Sequence, residues 1–214
     1  VIFISVLGVL FVAGVKIQQF LVVALLGVIA ITMMIIFVPW RWERIISFID
    51  PWSDPWGSGY QLTLSLMSIG RGDWFGVGLG QGLMKMGYLP DAHTDFIFSV
   101  IVEEMGILGG LAIISLLFGL SFRIFFIGRE SLVRKNFFGF YFSFGVALLL
   151  GLHTFINVGV SSGLLPTKGL TLPLISGGGT NLIIVCLMIG LILRIDYENK
   201  NSMPIPMIKR RAQF

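Results

Sequence analysis

Charge is scarce in this chain. Asp, Glu, Lys and Arg make up 12% of its 214 residues, against 56% apolar side chains, whereas a soluble domain carries about 25% charge. A buried core cannot absorb that excess, because a chain of this size still has to present a surface. With a mean hydropathy of +0.93, most of that surface faces lipid rather than water. Cysteine is nearly absent. Cys186 stands alone in an apolar run, which excludes an intrachain disulfide and reads as a small packed side chain. Histidine is also rare: His93 and His153 have no second His or Cys at ligand spacing, which argues against a histidine-built metal site. The net charge of +4 comes without a basic stripe interleaved with aromatics. It therefore fits cytoplasmic Lys and Arg in a membrane protein, and not nucleic acid binding.

The chain does have long apolar runs. A spanning helix needs roughly 20 apolar residues, and the pattern predicts an all-α fold, a polytopic transmembrane helical bundle with one long extracytoplasmic loop. The spans expected are 1–15, 20–38, 107–127, 137–159 and 174–195. The first is short and lacks the charged start of a signal peptide, so it is expected to be the remainder of a truncated helix. The stretch 96–127 exceeds one span and is interrupted by Glu103-Glu104-Met105-Gly106. It divides into a short helix, 96–104, and the span 107–127. Residues 128–136 form a basic loop and 196–214 a cytoplasmic tail.

Charge fixes the orientation. With the tail inside, ten basic residues fall inside: Lys16, Arg123, Arg129, Arg134, Lys135, Arg194, Lys200, Lys209, Arg210 and Arg211. Five fall outside: Arg41, Arg44, Arg71, Lys85 and Lys168. The positive-inside rule favours this arrangement. The loop 39–95 is then extracytoplasmic and contains all five tryptophans, as an interfacial aromatic layer would. Asp50-Pro51 and Asp54-Pro55 within it are turn signals.

Asp95 stands where this loop meets the next helix. It either caps that helix, as Thr94 could equally do, or is free for chemistry. At about 100° per residue, Asp95, Ser99 and Glu103 share one face, and an ionisable stripe on a helix entering lipid is a functional hypothesis. Glu103 could equally take part in an ion pair inside the bundle. His93 could act as a base. Ser176, opening a Gly177-Gly178-Gly179 run after the loop carrying Lys168, would suit an anionic lipid headgroup through backbone N–H groups and the lysine.

Longer motifs carry a resemblance. Asp50-Pro51-Trp52-Ser53-Asp54-Pro55-Trp56-Gly57-Ser58-Gly59-Tyr60-Gln61, Gly76-Val77-Gly78-Leu79-Gly80, Tyr88-Leu89-Pro90-Asp91-Ala92-His93-Thr94-Asp95-Phe96-Ile97-Phe98 and Glu103-Glu104-Met105-Gly106 resemble the SEDS family of cell-shape and division proteins. Leu165-Pro166-Thr167-Lys168-Gly169-Leu170-Thr171-Leu172-Pro173 resembles the division branch more than the elongation branch. The chain departs from the family pattern at Asp91, where Glu is usual, and at Gly177, where Tyr is usual.

The resemblance implies roughly the C-terminal half of a ten-span peptidoglycan glycosyltransferase of the bacterial inner membrane, acting at the division septum. The implied substrate is lipid II, polymerised on the outer face beside a class B penicillin-binding transpeptidase and other division membrane proteins. Asp95 takes the place of the family's essential acid, and Lys168 that of its motif lysine. Lys168, with Arg44, Arg71 or Lys85, would screen the leaving pyrophosphate. No cofactor is required by the sequence, although a divalent cation could share that screening. A lipid II transporter and a non-catalytic division scaffold are the alternative readings. The polar residues concentrate on the outer side instead of lining the whole membrane depth, which favours the enzyme.

Overall fold

The structure, a computed structural model, describes residues 1–37, 44 and 46–201. Trp40, Arg41, Trp42, Glu43, Lys209, Arg210 and Arg211 lie outside the described residues. Six of the α-helices have bounds within the described residues: α1 Ile2–Val12, α2 Ile17–Ile36, α3 Tyr60–Gly72, α4 Ile97–Val133, α5 Phe137–Ser161 and α6 Gly179–Asn201. Among the described residues there is no strand. Helices α2, α4, α5 and α6 are long and apolar enough to cross a membrane.

Helices α1 and α2 form a hairpin turned at Gly14, whose φ of +76° suits glycine. Phe11 and Phe20 close it with ring centroids 5.6 Å apart. Helix α1 lies on α5, while α2 buries no residue in this chain. The core joins α4, α5 and α6 through Ile124, Ile127, Val146, Ala147, Leu150, Val185, Ile192 and Ile195. Apolar burial alone gives little driving force between helices in lipid, so close approach matters more. Gly128 of α4 packs against Ser143 and the Phe140 carbonyl of α5. Ser131 and Asn199 hydrogen-bond across α4 and α6.

The long loop holds a helix that the turn signals did not announce. Ahead of it Asp54 closes a turn by accepting the backbone N–H groups of Gly57 (3.0 Å) and Ser58 (2.9 Å). Asp50 accepts from Trp52 N–H, so both Asp-Pro aspartates build turns. Helix α3 buries small polar residues: Ser65 donates to the Ser161 carbonyl (2.8 Å) and Ser68 to the Ser99 carbonyl (3.0 Å). Short hydroxyl side chains let α3 lie directly on the backbones of α4 and α5. That face is mostly small and polar, so no apolar period marks the helix in the sequence.

Helix α4 counts 37 residues, about 55 Å at 1.5 Å per residue, far beyond a bilayer's roughly 30 Å core. It is broken at Gly106, with φ +72° and ψ 179°. There the N–H groups of Ile107 and Leu108 no longer reach the carbonyls four residues back. They donate instead to the carbonyls of Asp73 (2.9 Å) and Trp74 (3.4 Å). The freed carbonyls of Glu103 and Glu104 accept from Val77 (2.9 Å) and Gly78 (3.1 Å). The strap 73–78 thus threads the gap and satisfies both of its lips. A Cβ on Gly72, Gly76 or Gly106 would run into the facing backbone.

Three expected boundaries are corrected. Helix α4 continues past residue 127 to Val133, held by Ser131 on Asn199 and an Arg134–Glu130 pair at 3.0 Å. The basic loop shrinks to 134–136. Helix α6 starts at Gly179 instead of 174, because Leu174 has φ +64° and cannot open a right-handed helix. It runs on to Asn201 through Arg194–Glu198 and Asp196–Lys200 pairs.

Candidate active site

Asp95 caps nothing: Phe96 is the N-cap residue of α4, with no side-chain cap. The shared stripe with Ser99 and Glu103 does not form either, because Asp95 precedes the helix in a turn. That turn is built on Asp91, at φ +56°. The Asp91 carbonyl accepts from Thr94 (3.0 Å), Asp95 (3.1 Å) and Phe96 (3.3 Å). Beneath it Leu89, Ala92, Phe96, Val100 and Val160 form a buried cluster, with Met84 and Leu165 packed against it.

Three consecutive carbonyls then lock the turn. That of His93 accepts from Gly177 N–H (2.9 Å), that of Thr94 from Ser176 Oγ (2.6 Å), and that of Asp95 from Asn157 Nδ2 (2.9 Å). Ser176 Oγ also accepts from Leu172 N–H (2.7 Å), and Asn157 donates a second bond to the Leu170 carbonyl. The backbone under Asp95 is therefore fixed by α5 and by the loop 165–178.

The carboxylate itself is half-buried and accepts no hydrogen bond among the described residues. Gly169 lies directly over it: a Cβ there would sit 2.9 Å from Oδ2. Burial holds the carboxyl above its ordinary range, the neighbouring Asp91 carboxylate adds to that, and Arg44 acts in the opposite direction. Arg44 Nη1 donates to the Thr167 carbonyl at 3.5 Å. Both residues line a cavity of about 430 Å³ with Gly57, Ser58, Tyr60, Gln61 and Pro90. A carboxylate with a raised proton affinity, set on a fixed backbone and accepting no hydrogen bond among the described residues, is equipped to take up a proton.

The other expected residues divide into two groups. Arg44, Lys168 and Ser176 belong to this neighbourhood: Lys168 is exposed between Thr167 and Gly169, and Ser176 serves the frame. The His93 side chain is exposed, and only its carbonyl is engaged. Arg71, Lys85 and Glu103 gather elsewhere. Arg71 pairs with Glu103 at 3.0 Å, and Lys85 pairs with Glu104. Among the described residues no three His, Cys, Asp or Glu side chains group as a metal site. Sequence reasoning missed Asn157, Thr167 and Gly169 as parts of the site. Asn157 did carry a signal, an amide inside an apolar helix.

Residues 1–201 match the sequence pattern of the FtsW/RodA/SpoVE cell cycle proteins. The chain belongs to that family. Curated relatives named "Probable peptidoglycan glycosyltransferase FtsW" include one from Buchnera aphidicola subsp. Baizongia pistaciae. It is 54% identical over 198 residues, covering 92% of this chain and 52% of the relative. Another, from Aeromonas salmonicida, is 48% identical over 202 residues, covering 94% and 51%. A solved structure described as "Structural coordination of polymerization and crosslinking by a peptidoglycan synthase complex" superposes with a TM-score of 0.69 at 28% identity. It covers 92% of this chain and 54% of that one. The chain spans about half the length of these relatives. Family membership bears out the motif resemblance, and with the four apolar helices it makes this a multi-pass membrane protein.

Proposed function

We propose that this chain carries the catalytic turn of a peptidoglycan glycosyltransferase that polymerises lipid II during cell division. It would work on the outer face of the inner membrane at the septum, beside a class B penicillin-binding transpeptidase and other division membrane proteins. Asp95 takes the proton from the 4-hydroxyl of the acceptor sugar. That oxygen attacks the anomeric carbon of the donor's muramyl unit with inversion, and undecaprenyl pyrophosphate leaves. Arg44 and Lys168 would screen the pyrophosphate. A divalent cation could share that role, although the sequence shows no dedicated site for one and no three His, Cys, Asp or Glu side chains group among the described residues.

The observation that carries this reading is the Asp95 carboxylate itself: half-buried, without a hydrogen-bonding partner among the described residues, and set on a locked backbone. The test is Asp95→Asn in the full-length protein, assayed for lipid II polymerisation in detergent with its transpeptidase. General-base assistance is typically worth about 10²–10⁴-fold, so turnover should fall by that much while protein level and partner binding persist. Parent-rate polymerisation would overturn the base assignment. If lipid II movement across vesicles collapsed instead, the protein would be a transporter; if neither activity changed, a scaffold.

A further inference from the structure

Glu103 is fully buried, at 0% exposure, and its carboxylate accepts four hydrogen bonds. Oε1 takes Arg71 Nη1 and the Leu83 N–H, each at 3.0 Å; Oε2 takes the Met84 N–H at 3.3 Å and, at 3.2 Å, shares the one Ser68 hydroxyl proton with the Ser99 carbonyl. A carboxylate that only balanced Arg71 would have no need of the other three. Half of its hydrogen-bonding capacity is directed at the backbone of the segment leading to Asp95.

From there a continuous path leads to the turn. The Met84 carbonyl accepts from Leu89 N–H at 3.0 Å. The Met84 side chain packs against the cluster of Leu89, Ala92, Phe96, Val100 and Val160 beneath Asp95. Glu104 makes a parallel grip one residue on, accepting from the Gly80 (2.9 Å) and Gly82 (3.3 Å) N–H groups and pairing with Lys85. Segment 80–95 therefore leaves α4 near its break and returns to α4 at its start, tied at both ends to one rigid stretch of helix, 97–104.

We propose that Glu103 is a positioning residue for Asp95: it holds the backbone of Leu83 and Met84 and so sets where the catalytic turn sits. This rests on the reading of Asp95 as the base. Only a side chain whose two oxygens both accept does the work, because a glutamine in its place turns an NH₂ group toward at least one N–H donor. Misplacement of a reacting group by about 1 Å costs on the order of 10²-fold in rate.

The experiment uses full-length protein with two variants. Glu103→Gln alters the carboxylate. Leu83→Pro leaves Glu103, Arg71 and Ser68 untouched and removes one donor, at a residue whose φ of −81° lies within proline's reach and follows a permissive glycine. Polymerisation of lipid II should show kcat down about 10²-fold for Glu103→Gln and about 10-fold for Leu83→Pro, with KM within about threefold of the parent. A spin label at Tyr88→Cys in a Cys186→Ser background should become more mobile in both variants, while the melting temperature of Leu83→Pro stays near the parent's. Parent turnover and unchanged label mobility in Leu83→Pro would overturn the proposal. So would Glu103→Gln protein that accumulates poorly yet turns over at the parent rate. If the parent itself made no polymer, the enzyme reading would fall separately. Label mobility would then decide the positioning claim, and unchanged mobility would sink it.

Discussion

Replacing Asn157 with leucine tests whether the frame under Asp95 matters as much as Asp95 itself. Asn157 donates to the Asp95 carbonyl at 2.9 Å and also to the Leu170 carbonyl. Leucine has nearly the same volume and removes both donors. Leaving a buried acceptor without its partner costs about 1–3 kcal/mol. Both carbonyls belong to half-buried residues, so the lower end applies to each. Against this, Asn157 Oδ1 is itself buried with no partner among the described residues, and leucine relieves that penalty. The net effect is about 1–2 kcal/mol, a factor of roughly 5–30 in an equilibrium constant. It falls on the docking of the turn against residues 165–178, not on the helix bundle. Amide hydrogen exchange at 91–96 should quicken by about that factor, polymerisation by the full-length protein should fall correspondingly, and the melting temperature should move little. Asn157→Asp should be at least as harmful, since an ionised carboxylate would face two carbonyl oxygens. Parent-rate polymerisation with unchanged exchange at 91–96 in Asn157→Leu would show that the frame does not position Asp95.

Asp95 is a carboxyl whose folded-state pKa is raised, so the folded protein binds its proton more readily than the unfolded chain. Stability is therefore greater at low pH and falls as pH rises through the folded pKa. Asp95→Asn should melt slightly higher than the parent at neutral pH, with the gap closing on acidification. The acidic limb of kcat/KM should lie above the usual carboxylate range, and a limb at or below that range would contradict the burial argument. Gly169→Ala puts a methyl 2.9 Å from Asp95 Oδ2; activity should drop about tenfold or more at normal protein level, on the scale that a displaced reacting group costs. Orientation is testable by cysteine labelling in a Cys186→Ser background. Ser58→Cys should react from outside and Lys135→Cys only after permeabilisation, and the reverse pattern would move the site to the cytoplasm. Lys135 is a suitable probe because it is exposed, whereas neighbouring Ser131 is buried against Asn199.

Much of the architecture was legible where chemistry is local. Low charge and long apolar runs implied helices in lipid, and the Glu-Glu-Met-Gly interruption implied a break, which occurs at Gly106. Helix α3 was not legible, because beside Leu62 the face it buries is made of small residues, and the hydroxyls of Ser65 and Ser68 find backbone acceptors on other helices. Sequence alone could not show that those acceptors would be there. The boundary of α6 was missed for a similar reason. Its apolar composition extends back to residue 174, but Ser176 and Gly177 are held by Thr94 and His93, and the chain turns left-handed at Leu174 before the helix begins.

What the sequence determined by itself was the solvent, the helical class and the family, since each depends on composition or on contiguous motifs. It also singled out Asp95 by its motif. The tertiary structure decided what each carboxylate does. Helical periodicity placed Asp95 and Glu103 on one stripe, yet they have opposite surroundings. Glu103 is fully buried and takes four donors from residues 19 to 35 positions away. Asp95 keeps its oxygens free of donors among the described residues, because the partners of its turn, 62 and 82 positions distant, bind the main chain instead. Whether a carboxylate is a tie or a base depends on the donors that reach it, and those come from chain segments that meet only in the fold.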